Sequence, residues 1–424
     1  MTLPNAPTIL LLSTVHSYRA EAFLWAAERL GIGVVQGVDL PPELAREWDG
    51  GLALSFREPE QAVANIMAAA AQRPFAAIFP VDDSGVLVAA QAGIALGLPH
   101  NSPAAAEAAR DKLVMRRMLA AQGVPTPPFA EFALTDEVEW VTAVVQEQIG
   151  FPCVVKPRTL NGSRGVIRAN DAAELAAVVR RVQHMLHAMG ANGLLVEQFI
   201  PGVEVALEGV LHNGRLQVLA LFDKPDPLDG PYFEETIYVT PSRLPEPTQT
   251  AVAEMTARGA AALGLQTGPV HAELRINEQG AWIVEVNGRS IGGLCSQTLR
   301  FDLRVGDEAI SLEELLLRQA VGQEVQQAQR QDQASGVMMI PIPRPGILRG
   351  VSGQQAATAV PGITEVTITA PLNNRLVPLP EGESYLGFIF AEGGSPAEVE
   401  AALRQAHACL HFAIDEEIPL LMVR

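Results

Sequence analysis

Two rhythms of apolar positions alternate along the first hundred residues. Apolar runs at 8–12, 33–38 and 76–80 read as buried strands. Between and after them, apolar residues return every three to four positions, the helical repeat, with one such stretch closing near Leu30 and another opening after Ser84 and Gly85. Strands that alternate with helices predict a parallel, doubly wound sheet. Ligands of such sheets sit at the carboxyl ends of the strands, which makes His16 and Asp82 candidates beside their plainer reading as loop caps.

Ser102 and Pro103 suit the start of a helix that carries Lys112 and ends near Gly123. Pro125, Pro127 and Pro128 then mark a boundary. Beyond it the sequence predicts a strand over 151–157 that ends at Lys156, a glycine-bearing turn over 161–166, and a helix over 172–189. A strand, a hinge and a second strand follow over 194–204, with Glu197 and Glu204 on either side of the hinge. Residues 205–222 alternate about Asn213–Gly214, a hairpin signal. The segment 223–236 holds three prolines and five acids around Lys224 and reads as a stiffened, charged loop. Helices are expected over 247–263 and 308–334, the second turning glutamine-rich, and residues 337–424 read as a small α+β unit.

The richest stretch is 268–293. It predicts two strands joined by a turn near Asn277–Gly280, with Glu273 on the first strand and Glu285 and Asn287 on the second. Residues two apart on a strand share a face, so Glu285 and Asn287 point together, and a hairpin brings Glu273 to them. Two carboxylates and an amide oxygen make the hard-oxygen set that Mg²⁺ prefers when it also holds phosphates. Arg289 continues the alternation with a fixed positive fork. Ordinary solvent-facing strand acids are the plain alternative, but Glu285 interrupts the apolar run Trp282-Ile283-Val284-Glu285-Val286, and a carboxylate there needs a partner.

Composition narrows the classes. The 424 residues exceed one simple core and point to two or three domains. A net charge of −18 argues against nucleic acid and against an anionic membrane surface. Three scattered cysteines imply no disulfide framework, the chain starts without a basic leader, and no run spans a bilayer, so the cytoplasm is the expected address. Of thirty basic residues only Lys112, Lys156 and Lys224 are lysine. Lysine and arginine do not substitute freely at phosphate sites, so at least two of these three are expected to touch phosphate or substrate.

In this order, a nucleotide-binding-like first unit, a helix lysine, a strand-end lysine, a glycine turn, an acid-flanked hinge and Glu…Glu-x-Asn-x-Arg, the chain resembles the ATP-grasp superfamily from about residue 8 to 300. The segments MMIPIPRPGILRGVSG and YLGFIFAEG look like the domain that follows the core in L-amino-acid ligases and biotin-carboxylase-like relatives, and FEETIYVTPSRL is similar to the substrate strand of dipeptide-forming ligases. The resemblance implies a mixed α/β and α+β architecture: a doubly wound α/β domain over 1–105, an ATP-grasp core over 106–330 with a lid near 125–200, and a small α+β domain over 331–424. It implies that Lys112 and Lys156 hold the phosphates of ATP with Ser163 closing over them, that Glu197 and the Phe199 backbone take adenine, and that Glu204 takes ribose. Glu273, Glu285 and Asn287 would hold two Mg²⁺ ions, with Mn²⁺ as a substitute. Arg289, Lys224 and His271 are expected at the chemistry; in D-alanine-ligase patterns an arginine stands where His271 does, so His271 either faces substrate or packs. Glu234 and Glu235 are candidates for a substrate ammonium. The reaction implied is ATP-dependent joining of a carboxylate to an amine through an acyl phosphate, on small amino-acid or carboxylate substrates, in a chain that could pair as a homodimer. Another ATP-grasp substrate class and a non-catalytic nucleotide-binding module are the rival readings.

Overall fold

A computed structural model describes residues 6–15, 17–40, 43–44, 51–191, 193–304, 308–382 and 384–416. His16 lies outside the described residues. The first sheet holds β1 (Thr8–Thr14), β2 (Gly33–Asp39), β3 (Leu52–Leu54) and β4 (Ala77–Pro80), all parallel, in the order β3-β2-β1-β4. Helices Ala20–Leu30, Pro59–Gln72 and Asp83–Ala95 alternate with these strands. Leu10 and Leu12 pack into one core while Ile9 and Leu11 pack into another, so the central strand is apolar on both faces, as its unbroken TILLL run requires. This is the doubly wound sheet that the alternation predicted.

The second sheet is antiparallel. It contains β5 (Phe129–Phe132), β6 (Cys153–Pro157), β7 (Ile167–Ala169) and β8 (Leu194–Gln198) in the order β5-β8-β6-β7. Helices Val138–Gln148 and Ala172–Met189 cover one face, where Cys153, Val155, Leu194 and Val196 are buried. Alternation therefore turns Val154, Lys156 and Glu197 to the other face.

The third sheet begins with β9 (Val203–His212), β10 (Arg215–Asp223), β11 (Ile237–Thr240), β12 (Gly268–Asn277) and β13 (Gly280–Asn287). On β9 and β12 the odd and even positions separate cleanly. Val205, Leu207, Leu211, Val270, Ala272 and Leu274 join the core under helix Glu246–Ala262, which leaves Glu204, Glu208, His271, Glu273 and Arg275 on the opposite face. A small sheet of β14 (Arg300–Asp302), β15 (Ile310–Ser311) and β16 (Gln329–Arg330) follows. The third sheet then resumes with β17 (Ala334–Ile340), antiparallel to β11. After β18 (Gly346–Ser352) and β19 (Ile363–Ile368) come β20 (Arg375–Leu376), β21 (Gly387–Gly393) and β22 (His411–Asp415). Strands β17, β21 and β19 complete an eight-stranded sheet, so strands from both sides of residue 330 share one sheet, while β18, β20 and β22 pair separately.

Two sequence expectations change. The single helix expected to carry Lys112 is two helices, Pro103–Arg110 and Lys112–Ala121. Asp111 breaks between them, its carboxylate accepting from the Leu113 and Val114 N–H groups while Arg158 holds it from the second sheet. The helix expected over 308–334 is confined to Leu312–Ala320. Beyond it the glutamine-rich run turns back against the third sheet, where Gln217 donates to the Val325, Gln326 and Ala328 carbonyls. Among the described residues no helix is long and apolar enough to cross a membrane.

Candidate active site

The uncovered faces of the second and third sheets enclose a cleft of about 780 Å³. Its floor is the β12–β13 pair. Glu273 stands directly opposite Glu285, and His271 opposite Asn287, so four polar side chains form a two-by-two patch on one face. The register slips just after Glu273, where the two carboxylates meet. All four side chains line the cleft.

Lysine enters from three directions. Lys112 is the first residue of its helix, placed there by the Asp111 cap; its ammonium donates to the Leu160 carbonyl at 2.8 Å and lies 3.4 Å from Glu285. Lys156, at the end of β6, makes a very short bond to Glu197. These two share a face because Val154, two residues before Lys156, pairs with Glu197 across the sheet. Burial would raise the Glu197 carboxyl, but Arg116 and Lys156 outweigh it and hold it at about 2. Two cations share that one carboxylate, so Lys156 gains less from it than burial removes and its ammonium falls below the usual lysine range. Lys224 sits among three acids, 2.9 Å from Glu204, 2.6 Å from Glu235 and 3.4 Å from Glu273. Burial opposes its charge, yet the three carboxylates raise its pKa well above the ordinary value.

The structure assigns several expected residues differently. Glu197 lines the cleft with both oxygens engaged: Arg116 grips the pair at 2.7 and 3.1 Å, and the same carboxylate anchors Lys156. The Phe199 N–H already donates to the Pro152 carbonyl, and Gln198 N–H to Pro128. The next hinge N–H, that of Ile200, makes no hydrogen bond among the described residues. The Phe199 ring lies under the guanidiniums of Arg168 and Arg275, 4.2 and 4.9 Å from its centroid. Glu204 lines the cleft but is braced by Lys224 and by Arg275 at 2.9 Å. Of the adjacent acids, Glu235 faces the cleft while Glu234 turns to the Ile342 backbone, as neighbours on an extended run must. Ser163, at φ 55°, lies in the turn at the cleft's edge. Asp82 is a loop organiser, accepting from the Thr14 N–H and the Ser17 hydroxyl.

Other residues were not singled out from sequence. Arg116 follows Lys112 by four positions and so shares its helix face, a signal that was readable. Glu208 follows Glu204 by four on β9 and shares its strand face; it is fully buried, accepts from His271 Nδ1 at 3.2 Å and from the Ile291 N–H at 3.0 Å, and burial raises its pKa. Asp83 is another: it holds the expected Arg289 at 2.7 Å, a contact that raises the Arg289 pKa despite burial. Arg19 reaches from the first sheet to donate to Ser290 Oγ and the Val81 carbonyl. Long-range partners of this kind leave no local trace in sequence.

The donor set fits Mg²⁺. Glu273, Glu285 and Asn287 offer only hard oxygens from adjacent positions on one face. Glu204, Glu235 and Glu273 also bring carboxylate oxygens within 4.8 Å of one another. The thiol at the cleft, Cys295, is pushed above its ordinary pKa by burial, which disfavours the thiolate that a soft metal needs.

Comparison with known proteins adds three family matches: "ATP-grasp N-terminal domain" over 24–100, "ATP-grasp domain" over 149–298 and "L-amino acid ligase C-terminal domain 2" over 338–415. An uncharacterized protein of Sinorhizobium fredii is 27% identical over 326 residues, covering 75% of this chain and 64% of that protein. A D-alanine–D-alanine ligase of Gloeobacter violaceus is 31% identical over 205 residues, 45% of this chain and 63% of that protein. The chain thus spans just under two thirds of the length of each. The crystal structure of an L-amino acid ligase from Bacillus licheniformis superposes with a TM-score of 0.78 at 26% identity, covering 98% of this chain and 100% of that one.

Proposed function

Because the chain belongs to the ATP-grasp superfamily and resembles the L-amino-acid ligases, we propose that it is an ADP-forming carboxylate–amine ligase that joins L-amino acids. The observation that carries this reading is the facing pair Glu273 and Glu285, with Asn287 beside them, in a cleft that Lys112 and Lys156 also line. The organisation that goes with it is a first unit over 1–105, a core over 106–330 with a lid near 125–200, and a closing unit over 331–424.

In the proposed reaction a carboxylate oxygen of one amino acid attacks the γ-phosphorus of ATP, and the bond to the bridging oxygen breaks to release ADP. The amine of the second amino acid then attacks the acyl carbon of the mixed anhydride. Phosphate leaves with the original carboxylate oxygen, the nitrogen loses a proton, and an amide remains. Phosphorylation converts a poor leaving group into a good one, so the protein's task is positioning and charge neutralisation. Mg²⁺ held by Glu273, Glu285 and Asn287 would neutralise phosphate charge.

The side chains divide this work. Lys156 spends one of its three N–H donors on Glu197 and Lys112 two, on Leu160 and Glu285, so each keeps at least one for phosphate oxygens. Ser163 and its turn cover that end. Ile200 N–H, two residues past the expected Gln198 start of the hinge, is the donor for a purine edge, with the Phe199 side of the hinge packed by arginine. Glu204 has lone pairs left for ribose hydroxyls. Arg289, fixed by Asp83, presents a fork to the acyl phosphate. Glu235, beside Lys224, is the acid placed for a substrate ammonium, and His271 faces the same space.

The test is phosphate release from ATP and Mg²⁺ with pairs of L-amino acids, without bicarbonate, and mass spectrometry of the products. A dipeptide formed with one phosphate per bond is expected. ATP turnover that needs bicarbonate, or no turnover with any pair, would overturn the reading.

A further inference from the structure

Beyond Arg289 the character of the cleft changes. Its wall becomes Tyr18, Ile291, Cys295, Met339, Tyr385 and Phe388. The Tyr18 and Tyr385 rings both stand 6.1 Å from Phe388, and Cys295 Sγ lies 3.8 Å from Met339 Sδ. Ile291, Cys295, Met339 and Phe388 are almost fully covered, forming the back of the recess, while Tyr18 keeps 51% of its surface exposed at the mouth. A half-exposed aromatic beside an apolar recess is surface waiting for a partner. Polar groups flank this wall: Arg289, His271 and Glu235 line the cleft on the side of the acid patch, and Arg19 and Asp82 lie beside Tyr18.

Two adjacent glycines define the room. A Cβ at Gly293, whose φ is +61°, would touch Cys295 Sγ at 3.3 Å and Phe388 Cε1 at 3.4 Å, so this backbone lies flat against the wall. A Cβ at Gly292 would meet only Arg289 Nη1 at 3.9 Å, so the space in front of Gly292 is open. Met339, Tyr385 and Phe388 fall within the C-terminal match over 338–415, whereas the ATP-grasp match ends at 298. The recess is therefore built where three parts meet: Tyr18 from the N-terminal loop, Ile291 to Cys295 from the ATP-grasp match, and Met339, Tyr385 and Phe388 from the C-terminal match.

The geometry points to this recess as the side-chain subsite for one of the two joined amino acids, selecting a large apolar side chain of the leucine, methionine or phenylalanine class, with Gly292 keeping it open. The inference rests on the ligase reading and deepens it. An amino acid held there places its charged head among Arg289, His271 and Glu235 and its side chain against rings, thiol and thioether. A charged side chain would lose its hydration against Ile291, Met339 and Phe388, the back of the recess, which offer it no partner.

The experiment measures kcat/KM for phosphate release by the full chain with leucine, methionine or phenylalanine against alanine, aspartate and lysine, each offered with a common second amino acid. The large apolar acids are expected to exceed aspartate and lysine by about tenfold or more. Gly292→Val narrows the opening and is expected to lower the phenylalanine-to-alanine ratio of kcat/KM about tenfold. Tyr18→Ala, at a half-exposed position that keeps the test open should Gly292→Val fail to fold, is expected to lower the same ratio severalfold. Turnover confined to charged or polar side chains, or a ratio unmoved in the folded variants, would overturn this inference and leave the ligase reading standing. Absence of turnover with every pair would overturn both.

Discussion

Arg116 grips both carboxylate oxygens of Glu197 from a helix 81 residues upstream, and the same carboxylate holds Lys156. A helix packed against the third sheet thus decides where a lysine of the second sheet points. Arg116 also donates to the Ile283 and Val284 carbonyls on β13, which ties the two walls of the cleft together.

The Glu197 carboxyl is held at about 2, against an ordinary 4.5, by Arg116 and Lys156. A depressed folded value means that the contribution to stability is full above about pH 4.5 and is lost as pH falls toward 2. Glu197→Gln should cost about 3 kcal/mol near neutral pH, with the gap to wild type closing across that acid window. Urea unfolding of both proteins at a series of pH values checks it; a gap that stays constant to pH 2 would contradict it.

The facing acids give a second expectation. Glu285→Gln removes one negative charge from the Glu273–Glu285–Asn287 patch and leaves its shape, so ATP turnover should fall at least about a hundredfold while the melting temperature holds or rises. Chelation of the wild-type protein should stop ADP formation, and added Mg²⁺ should restore it. Isothermal titration of Mg²⁺ with a non-hydrolysable ATP analogue separates loss of the ion from loss of the nucleotide.

The β12–β13 patch was legible because it rests on local rules. Period two places Glu285 and Asn287 together, and the hairpin turn supplies Glu273. The scarcity of lysine also pointed at residues that line or border the cleft. Asp111 was not legible, because its helix break depends on Arg158, 47 residues away and on another sheet. The resemblance implied Glu197 beside adenine, but its partners Arg116 and Lys156 come from other elements and leave no trace near it in sequence. Glu234 and Glu235 look equivalent in sequence, and only the direction of the extended run, set by pairing of β11 with β17, separates them. The continuation of the third sheet past residue 330 is likewise a long-range register that no local pattern encodes.

The turn over Ser163 is pinned from the C-terminal side. Gly165 N–H donates to the Pro380 carbonyl at 2.8 Å, Arg164 donates to the Glu381 carbonyl, and Arg181 makes a two-pronged contact with the Glu381 carboxylate at 2.7 and 3.0 Å. The Arg181–Glu381 pair is nearly half exposed, so Glu381→Ala should change global stability by less than about 1 kcal/mol. Its effect should appear locally, as faster proteolytic cutting within 160–166 and a KM for ATP raised severalfold. Limited proteolysis followed by mass spectrometry reads the first effect and steady-state kinetics the second.

Glu208 is fully buried behind the cleft-lining His271, and its two bonds carry different consequences. One comes from His271 Nδ1 and turns the other ring nitrogen toward Glu273, 3.6 Å away; the second comes from Ile291 N–H and fixes the backbone between Arg289 and Gly293. Glu208→Ala would leave both donors without an acceptor in a buried place, a loss of about 1–3 kcal/mol. Glu208→Gln keeps one acceptor oxygen, so it should recover part of that stability. The end of the cleft lined by Lys112 and Lys156, proposed above for the nucleotide, does not depend on this bond. Both variants should therefore lower kcat while leaving the KM for ATP within about twofold of wild type, and Glu208→Gln should lie between Glu208→Ala and wild type in kcat. A rise in the ATP KM with kcat unchanged would mean that Glu208 acts through the nucleotide instead of through His271 and the Arg289 loop.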